Sequence, residues 1–362
     1  MNNVPWSPPD IGPEEIAAAK KVIDSGWLTQ GKITEQFEKE IEKKVGCRNA
    51  VVVNNGTSAL VASLLAHGIG HGDEVIVPTY TFIATVNSVL AVGATPVLVD
   101  CDKTTFNTTP EMVLEKITPK TKAIMPVDVA GMPVDINGFA DLARDQDILF
   151  IQDSAESLGA EYRGRKVGGF DNTSVFSFHM AKLSSTIEGG CVLTNDNMIA
   201  DRVRMIRNHG MKGKYDYACF GLNFRTTDIQ SAIGIEQLKK LDRYIHRRNK
   251  LAQIYEQELQ GIVGFQQIPD YVTVHPRMLF GILVEKEKRD SIISALNAQG
   301  IGTRICWPPT HTQEYHKTLF AGSYPNAEEI GKSIINIPMG NDLNEEQVHH
   351  VVEKIKEVLR QP

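Results

Sequence analysis

Short runs of apolar, often β-branched residues recur along the first half of the chain, separated by polar and turn-forming segments. Seven such runs occur, at residues 50–53, 74–77, 96–99, 123–127, 148–151, 174–178 and 191–194. Continuous apolar runs of this length are typical of strands that are covered on both faces. The pattern therefore predicts a buried, mainly parallel sheet of seven strands.

Segments with helical periodicity lie between several of these runs, as at 57–68 and 137–146. Strands and helices that alternate in this way indicate an α/β domain. Ahead of the first strand, residues 10–27 predict a helix with Pro13 in its first turn. The apolar residues of this helix fall on one face, as in a helix that packs against a core: Ile16, Ala19 and Ile23.

The second half of the chain follows a different pattern. It turns helical for about thirty residues after position 226, and residues 278–301 predict a strand followed by a helix. An amphipathic helix capped by Asn344 closes the chain. We therefore predict a large domain at 1–245, which includes the N-terminal helix, and a small α+β domain at 246–362.

Composition and charge narrow the classes of function. The chain has 362 residues, with 38 Lys and Arg against 44 Asp and Glu, and a formal net charge of −6. An acidic chain without a basic reading helix does not favour nucleic-acid binding. No apolar run reaches the roughly eighteen residues of a membrane span, and the N-terminus lacks a signal-peptide pattern. We expect a cytoplasmic protein with neither a nucleic-acid nor a membrane partner.

The cysteines give no sign of a structural cross-link. There are five, an odd number, they lie far apart, and no two form a CxxC pair. This spacing predicts neither a disulfide framework nor a metal site. Reduced thiols fit the cytoplasmic expectation.

Candidate chemistry is sought after the strands, because open α/β sheets bind ligands beyond the carboxyl ends of their strands. NNGTSAL follows the first run, where Gly56 permits a tight turn and Thr57 and Ser58 begin a helix. The free backbone N–H groups and hydroxyls of such a turn suit a phosphate. The same residue types also begin many helices that bind no ligand.

Polar and aromatic residues follow three further runs. Asp153 ends one strand, either as an ordinary helix cap or as the carboxylate partner of a protonated ring nitrogen in a cofactor. Tyr80 and Phe82 follow another, either as core residues or as an aromatic face for a planar cofactor. Lys182 follows a third, either as a surface lysine or as a buried amine that reacts with carbonyls.

These features occur in order on one predicted sheet. A phosphate-type turn, an aromatic side chain, a strand-end aspartate and a candidate Schiff-base lysine are the four parts that a pyridoxal 5′-phosphate (PLP) site needs. Their conjunction, rather than any one of them, favours this cofactor.

Seven motifs run in order along nearly the whole chain: SGWLTQGKITEQFE, NNGTSAL, VPTYTFIAT, QDSAESLGAEYRG, FSFHMAK followed by EGG, RNHGM and GLNFRTTDIQSAIG. Together they resemble the DegT/DnrJ/EryC1/StrS family of PLP-dependent sugar aminotransferases. The resemblance implies the aspartate-aminotransferase fold (PLP fold type I), with a seven-stranded large domain, a small C-terminal domain and a homodimer that shares its active sites.

The resemblance also implies roles by motif position. Lys182 would bind the cofactor covalently, Asp153 would pair with the pyridine nitrogen, and Phe82 would stack on the ring. Asn223 would reach the phosphate from the neighbouring subunit, and the apolar segment 229–238 would either pack at that subunit face or form a core helix. Four residues share the implied phosphate site: Gly56, Thr57, Ser58 and Ser177.

Two residues depart from the family pattern. Ile187 stands where the family often has glycine, in the loop after Lys182, which implies a changed loop or substrate pocket. Glu156 stands where many members carry Gln or His, so a hydrogen bond to the 3′-oxygen of the cofactor ring would need a water or a protonated carboxyl. Three residues are candidate substrate contacts: Tyr80, Glu188 and His311.

The implied activity is a ping-pong amino transfer. The donor is L-glutamate in most of the family, and the acceptor is a keto-sugar, usually linked to a nucleotide diphosphate. The product would be an amino sugar for a surface polysaccharide or a glycosylated compound. Three alternatives stay open: a free keto-sugar acid as acceptor, sugar dehydration, and a non-catalytic regulatory role. Lys182 weighs against dehydration, because family dehydratases that use the same cofactor have histidine there.

Overall fold

The computed structural model describes residues 3–360. This part of the chain forms eleven α-helices: α1 (Pro13–Ser25), α2 (Lys32–Val45), α3 (Gly56–Ala66), α4 (Ala84–Ala91), α5 (Pro110–Leu114), α6 (Ile136–Gln146), α7 (Asn197–Arg207), α8 (Asp228–Leu259), α9 (Arg289–Ala298), α10 (Pro325–Ser333) and α11 (Glu345–Leu359). None of these helices is both long and apolar enough to cross a membrane.

The same residues form fifteen β-strands: β1 (Asn49–Val53), β2 (Glu74–Pro78), β3 (Thr95–Val99), β4 (Thr121–Ile124), β5 (Leu149–Asp153), β6 (Glu161–Tyr162), β7 (Arg165–Lys166), β8 (Thr173–Ser177), β9 (Gly190–Thr194), β10 (Met211–Gly213), β11 (Asp216–Tyr217), β12 (Gly264–Phe265), β13 (Val272–Val274), β14 (Gly281–Leu283) and β15 (Ile334–Asn336). Seven of them make one sheet, in the order β1-β9-β8-β5-β4-β2-β3.

The seven-stranded sheet confirms the predicted fold class. Strands β2, β3, β4, β5 and β8 pair in parallel, and β9 runs antiparallel to both of its neighbours. Every position of β1, β8 and β9 is buried, because helices such as α2 and α3 pack on this part of the sheet. Each predicted apolar run overlaps one of the seven strands.

The register of the sheet brings several strand ends to one edge. Gly190, the first residue of β9, lies opposite Val53 of β1 and Ser177 of β8, which are the last residues of their strands. Asp153 ends β5 and lies opposite Val175 of β8. The loops that follow β1, β5 and β8 therefore meet at this edge.

Helix α8 passes from one hydrophobic core to another. Its buried side chains up to Ile245 belong to the core around the seven-stranded sheet, and those from Leu251 onward belong to a second core with α9, β14, β15 and α11. Residues such as Met278 and Ile330 nevertheless belong to the first core, so the C-terminal part contributes to both. The division of the chain at residue 245 stays a prediction.

The packing predicted for α1 is wrong. Ile16 and Ile23 are 63% and 55% exposed, whereas Glu15 and Val22 on another face are buried. The carboxylate of Glu15 forms a 2.7 Å ion pair with Lys240 of α8 and accepts a hydrogen bond from the Gly12 backbone N–H at 2.8 Å. These polar contacts turn the Glu15 face of the helix inward, which apolar periodicity alone does not indicate.

The first turns of α8 form a core helix. Residues of the segment 229–238 are mostly buried, and α8 packs against α1 and α2 of the same chain. Within the single chain the segment thus has the contacts of a core helix, and the alternative that it packs at a subunit face stays a prediction. The closing helix α11 begins as predicted, with the side chain of Asn344 accepting a hydrogen bond from the Gln347 N–H.

Candidate active site

A cavity of about 770 Å³ lies at the sheet edge where the parallel strands end. Two walls enclose it. The sheet-edge wall consists of residues from segments 55–60, 81–84, 153–156 and 177–182, with Val127 and Glu188. The C-terminal wall consists of segments 278–279 and 304–307, with Trp6 beside them.

The predicted phosphate turn lies in the sheet-edge wall. Asn55 caps α3, its side-chain oxygen accepting a hydrogen bond from the Ser58 backbone N–H at 2.8 Å. A Cβ atom at Gly56 would lie 3.1 Å from Cβ of Ser177, closer than most Cβ contacts, so glycine favours the close packing of this turn on the end of β8. Gly56, Thr57, Ser58 and Ser177 thus meet at the positive end of an eleven-residue helix, which favours an anion.

Asp153 is fixed at the end of β5 by backbone and side-chain contacts. It is 4% exposed. The Thr85 hydroxyl donates to its Oδ2 at 2.7 Å, and the Ala155 N–H donates to its Oδ1 at 3.2 Å. Burial raises the pKa of the Asp153 carboxyl, while these hydrogen bonds and the positive charge of Lys182 oppose that rise. A cationic ring nitrogen in the cavity would offset the cost of holding this carboxylate ionised.

Lys182 lies in the same cavity and is paired with Glu156. Its Nζ lies 3.0 Å from Glu156 Oε1, and the Ala130 backbone N–H donates to the other carboxylate oxygen at 3.0 Å. The side chains of Lys182 and Glu156 are 16% and 6% exposed. The lysine is therefore not a surface residue. The ion pair with Glu156 was not predicted from the sequence.

The aromatic positions divide between cavity and core. Phe82 is 52% exposed and lines the cavity, where its ring centroid lies 5.1 Å from that of Trp307. Tyr80 is only 1% exposed, and its hydroxyl donates to the Cys306 carbonyl at 3.0 Å. Of the two alternatives stated for these residues, Phe82 has the open aromatic face and Tyr80 is core.

The remaining predicted residues take different places. Glu188 lines the cavity, with Oε1 lying 3.7 Å from Nε2 of His179. His311 is largely buried, and its Nδ1 shares a 2.7 Å hydrogen bond with the Thr79 hydroxyl. Asn223 is exposed. Tyr80, His311 and Asn223 do not line the cavity, and the substrate or cofactor roles predicted for them stay predictions.

The C-terminal wall was not anticipated from the sequence. The guanidinium of Arg304 lies 5.8 Å from the Trp6 ring, and the ring of Trp307 packs on that of Phe82. Met278 and Leu279 add an apolar surface. Trp6 and Trp307 line the same cavity although they lie far apart in the chain, and nothing in their local sequence patterns indicates this.

A family model matches residues 9–356. The chain belongs to the DegT/DnrJ/EryC1/StrS aminotransferase family. Solved structures agree. DesV of S. venezuelae, in complex with a ketimine intermediate, is 34% identical with a TM-score of 0.96 over 100% of both chains. PseC of Helicobacter pylori, an aminotransferase involved in the biosynthesis of pseudoaminic acid, is 30% identical with a TM-score of 0.93 over 99% of both chains.

The family fixes the cofactor class. Streptococcus pneumoniae Spr1654 is 29% identical to this chain, with a TM-score of 0.94 over 99% of this chain and 98% of its own, and is known in PLP and PMP forms. The protein is accordingly a PLP-dependent sugar aminotransferase. Its cavity fits PLP, because it combines a helix N-terminus packed closely on Ser177 with a carboxylate, an aromatic face and an amine.

Proposed function

We propose that this enzyme moves an amino group from L-glutamate to a keto-sugar linked to a nucleotide diphosphate. The observation that carries the proposal is the placement of Lys182, Asp153 and the phosphate turn around one cavity. Lysine, rather than the histidine of the family dehydratases, favours amino transfer over dehydration. The similarity to PseC, an aminotransferase involved in the biosynthesis of pseudoaminic acid, supports a sugar acceptor.

Five residues of the sheet-edge wall bind the cofactor in this proposal. Gly56, Thr57 and Ser58 bind the phosphate together with Ser177, and Phe82 lies against the ring of the cofactor. PLP supplies an electrophilic carbon that binds the amine and a ring that accepts electrons from the substrate carbon. These residues would hold PLP in the cavity that the amine of Lys182 also lines.

Proton movements are assigned to two side chains, and a third side chain orients the amine. Asp153 holds the proton on the pyridine nitrogen through its carboxylate. Nζ of Lys182 carries the proton that leaves the α-carbon of the donor. Glu156 lies 3.0 Å from that nitrogen and is the acceptor that orients it. Glu188 and the C-terminal wall contact the keto-sugar.

A two-stage assay tests the donor and acceptor separately. The PLP-loaded enzyme is first mixed with L-glutamate, and we expect one 2-oxoglutarate per active site as the cofactor converts to its pyridoxamine form. That form is then mixed with a panel of nucleotide-linked keto-sugars and a matched panel of free keto-sugar acids. Recovery of the PLP spectrum with a nucleotide-linked sugar supports the proposal. Recovery with the free acids only would replace the acceptor class, and no 2-oxoglutarate would overturn the donor.

We also propose that the working unit is a homodimer in which Asn223 reaches the phosphate of the neighbouring site. Asn223 is exposed and lies away from the cavity of its own chain. Its neighbours in sequence, Phe220 and Leu222, are 68% and 39% exposed, which gives the segment an apolar surface for a second copy. We also propose a cytoplasmic location for the enzyme. Its five cysteines are free thiols, which supports a reducing compartment.

Complementation between two inactive variants tests the shared site. Lys182→Ala removes the amine of one chain, and Asn223→Asp places a negative charge beside the phosphate bound by the partner. A mixed dimer then has one site damaged twice and one site intact, so we expect up to about half of the wild-type activity. Asn223→Asp must first prove inactive alone. Verified heterodimers without activity, or an active monomer, would refute the shared site.

A further inference from the structure

Arg248, in the middle of α8, is a buried cation without a carboxylate partner. It is 1% exposed, and within residues 3–360 no acidic side chain lies within ion-pair distance of it. Its guanidinium donates instead to three oxygen atoms. Nε donates to Asn341 Oδ1 at 2.9 Å, and Nη1 donates to the carbonyls of Arg277 at 2.9 Å and Met278 at 3.0 Å.

Burying a guanidinium without a carboxylate partner costs free energy, and breaking its hydrogen bonds costs free energy as well. Burial lowers the pKa of Arg248 to about 9, and nearby Asp342 opposes that shift, so the group is charged at neutral pH. Removal of the guanidinium would leave the three oxygen atoms buried without a donor. Arg248 therefore holds the segments that carry these oxygens in fixed positions.

One of these segments leads to the backbone beside Lys182. The side-chain amide of Asn341 accepts from Arg248 through its oxygen and donates through Nδ2 to the carbonyl of Leu183 at 3.0 Å. Both contacts are buried. This series of hydrogen bonds from Arg248 through Asn341 thus ends on Leu183, the residue next to Lys182.

The other segment leads to the amine end of the same lysine. The Met278 N–H donates to the Ala130 carbonyl at 3.1 Å, and the Ala130 N–H donates to Glu156 Oε2 at 3.0 Å. Glu156 Oε1 accepts from Lys182 Nζ at 3.0 Å. The two series of hydrogen bonds together connect Arg248 to Lys182, one at the lysine backbone and the other at its amine.

We propose that Arg248 is a positioning residue for Lys182, fixing its backbone through Asn341 and its amine through Met278, Ala130 and Glu156. Arg248 touches neither cofactor nor substrate, and it joins the C-terminal wall to the sheet-edge wall. The inference rests on the proposed role of Lys182 as the residue that binds PLP. A shift of about 1 Å in a reacting group can cost on the order of 10² in rate, so the effect of losing these hydrogen bonds is measurable.

Three variants separate positioning from stability. Arg248→Met removes the donor from both series of hydrogen bonds. Asn341→Asp keeps an oxygen for Arg248 but loses the N–H that donates to Leu183, so it breaks only the series that ends at the backbone. Arg247→Met is the matched control, because Arg247 is the neighbouring residue of α8 and donates to the carbonyls of Leu343 and Asp342 without reaching Lys182.

The readouts are the visible circular dichroism of bound PLP, the dissociation constant of PLP, and kcat and KM for the L-glutamate half-reaction. For Arg248→Met we expect kcat to fall by about 10² and the dichroism band to change, with KM within about twofold of wild type. For Asn341→Asp we expect a smaller fall in kcat, of about 10-fold, and a changed dichroism band. Arg247→Met should match wild type in every readout.

Borohydride labelling of the wild-type holoenzyme keeps the two proposals apart. A label on a lysine other than Lys182 would refute the proposed role of Lys182. With the label on Lys182, a folded Arg248→Met variant that has the wild-type band and rate would overturn the positioning role of Arg248. An Asn341→Asp variant with the wild-type band and rate would overturn the part of the proposal that fixes the Lys182 backbone through Asn341. This criterion holds even if Arg248→Met does not fold.

Discussion

The two walls of the cavity differ in chemistry and in origin. The sheet-edge wall carries buried charged groups. Asp153 is the last residue of β5 and Glu156 follows that strand, and the two residues are only 4% and 7% exposed. The C-terminal wall is largely apolar and aromatic, from Met278 to Trp307, and comes from irregular segments. The sheet-edge wall has the groups for bond-making and proton movement, and the C-terminal wall encloses them.

The two walls also differ in how the chain brings their residues together. Parallel strands end at the same edge, so residues that follow them meet in any sheet of this topology. Loops that close over that edge have no such constraint. We therefore expect substitutions in the sheet-edge wall to affect kcat and substitutions in the C-terminal wall to affect KM for the acceptor.

The largest effect is expected at Lys182. Lys182→Ala should lower kcat for the glutamate half-reaction by about 10⁴, the upper range for loss of a general acid–base group. In the wild-type holoenzyme, borohydride should fix the cofactor on Lys182, detected by peptide mass spectrometry. Lys20→Ala, an exposed lysine paired with Asp24, is the control and should keep full activity. Substantial turnover by Lys182→Ala would contradict the assignment of the chemical step to the sheet-edge wall.

The next effect concerns Asp153. Asp153→Asn replaces the carboxylate that holds the ring proton with a neutral amide of the same shape. We expect PLP to bind and kcat to fall by about 10², or roughly 3 kcal/mol of barrier. Stopped-flow absorbance with L-glutamate measures the rate, and a spectral titration measures cofactor binding. A rate near that of wild type would mean that the ring charge is set by another group.

Asp128, behind the sheet-edge wall, predicts a pH dependence of stability. It is fully buried and accepts hydrogen bonds from Gln152, Ser157 and Val134. Burial raises its pKa from 3.8 to about 6 despite these bonds. The folded chain therefore binds a proton that the unfolded chain releases between these pH values, so the free energy of unfolding falls as pH rises through this window, by up to about 3 kcal/mol.

Urea unfolding of the cofactor-free protein between pH 4 and pH 7 measures this contribution. Asp128→Asn should remove the decrease in the free energy of unfolding that Asp128 causes as the pH rises to about 6. Asp141→Asn, which changes an exposed carboxylate, should leave the pH dependence unchanged. Parallel curves for wild type and Asp128→Asn would contradict the assignment.

The smallest effect is expected in the C-terminal wall. Trp307→Ala removes the aromatic contact with Phe82, worth about 1 kcal/mol beyond the area that it buries. We expect KM for the keto-sugar to rise by about 10-fold, with kcat for the glutamate half-reaction within about twofold. Tyr315→Ala, an exposed aromatic residue outside the cavity, is the control. A fall in kcat with an unchanged KM would erase the distinction between the walls.

The sequence was sufficient for the seven strands and for one wall of the site. Burial on both faces of a sheet imposes continuous apolar runs, and chain order gives the residues that follow each run. Gly56, Phe82, Asp153 and Lys182 were found in this way and all line the cavity. The capping of α11 by Asn344 was equally local, since the acceptor and the Gln347 N–H are three residues apart.

The tertiary structure decided what covers each face and which distant groups meet. Periodicity placed Ile16 and Ile23 on one side of α1, but the partners of Glu15 turned another side inward. The Lys182–Glu156 pair depends on two loops at one sheet edge, and Trp307 reaches Phe82 from a segment over two hundred residues away. Local pattern records the chemistry and periodicity of side chains, whereas such contacts arise only when the whole chain packs.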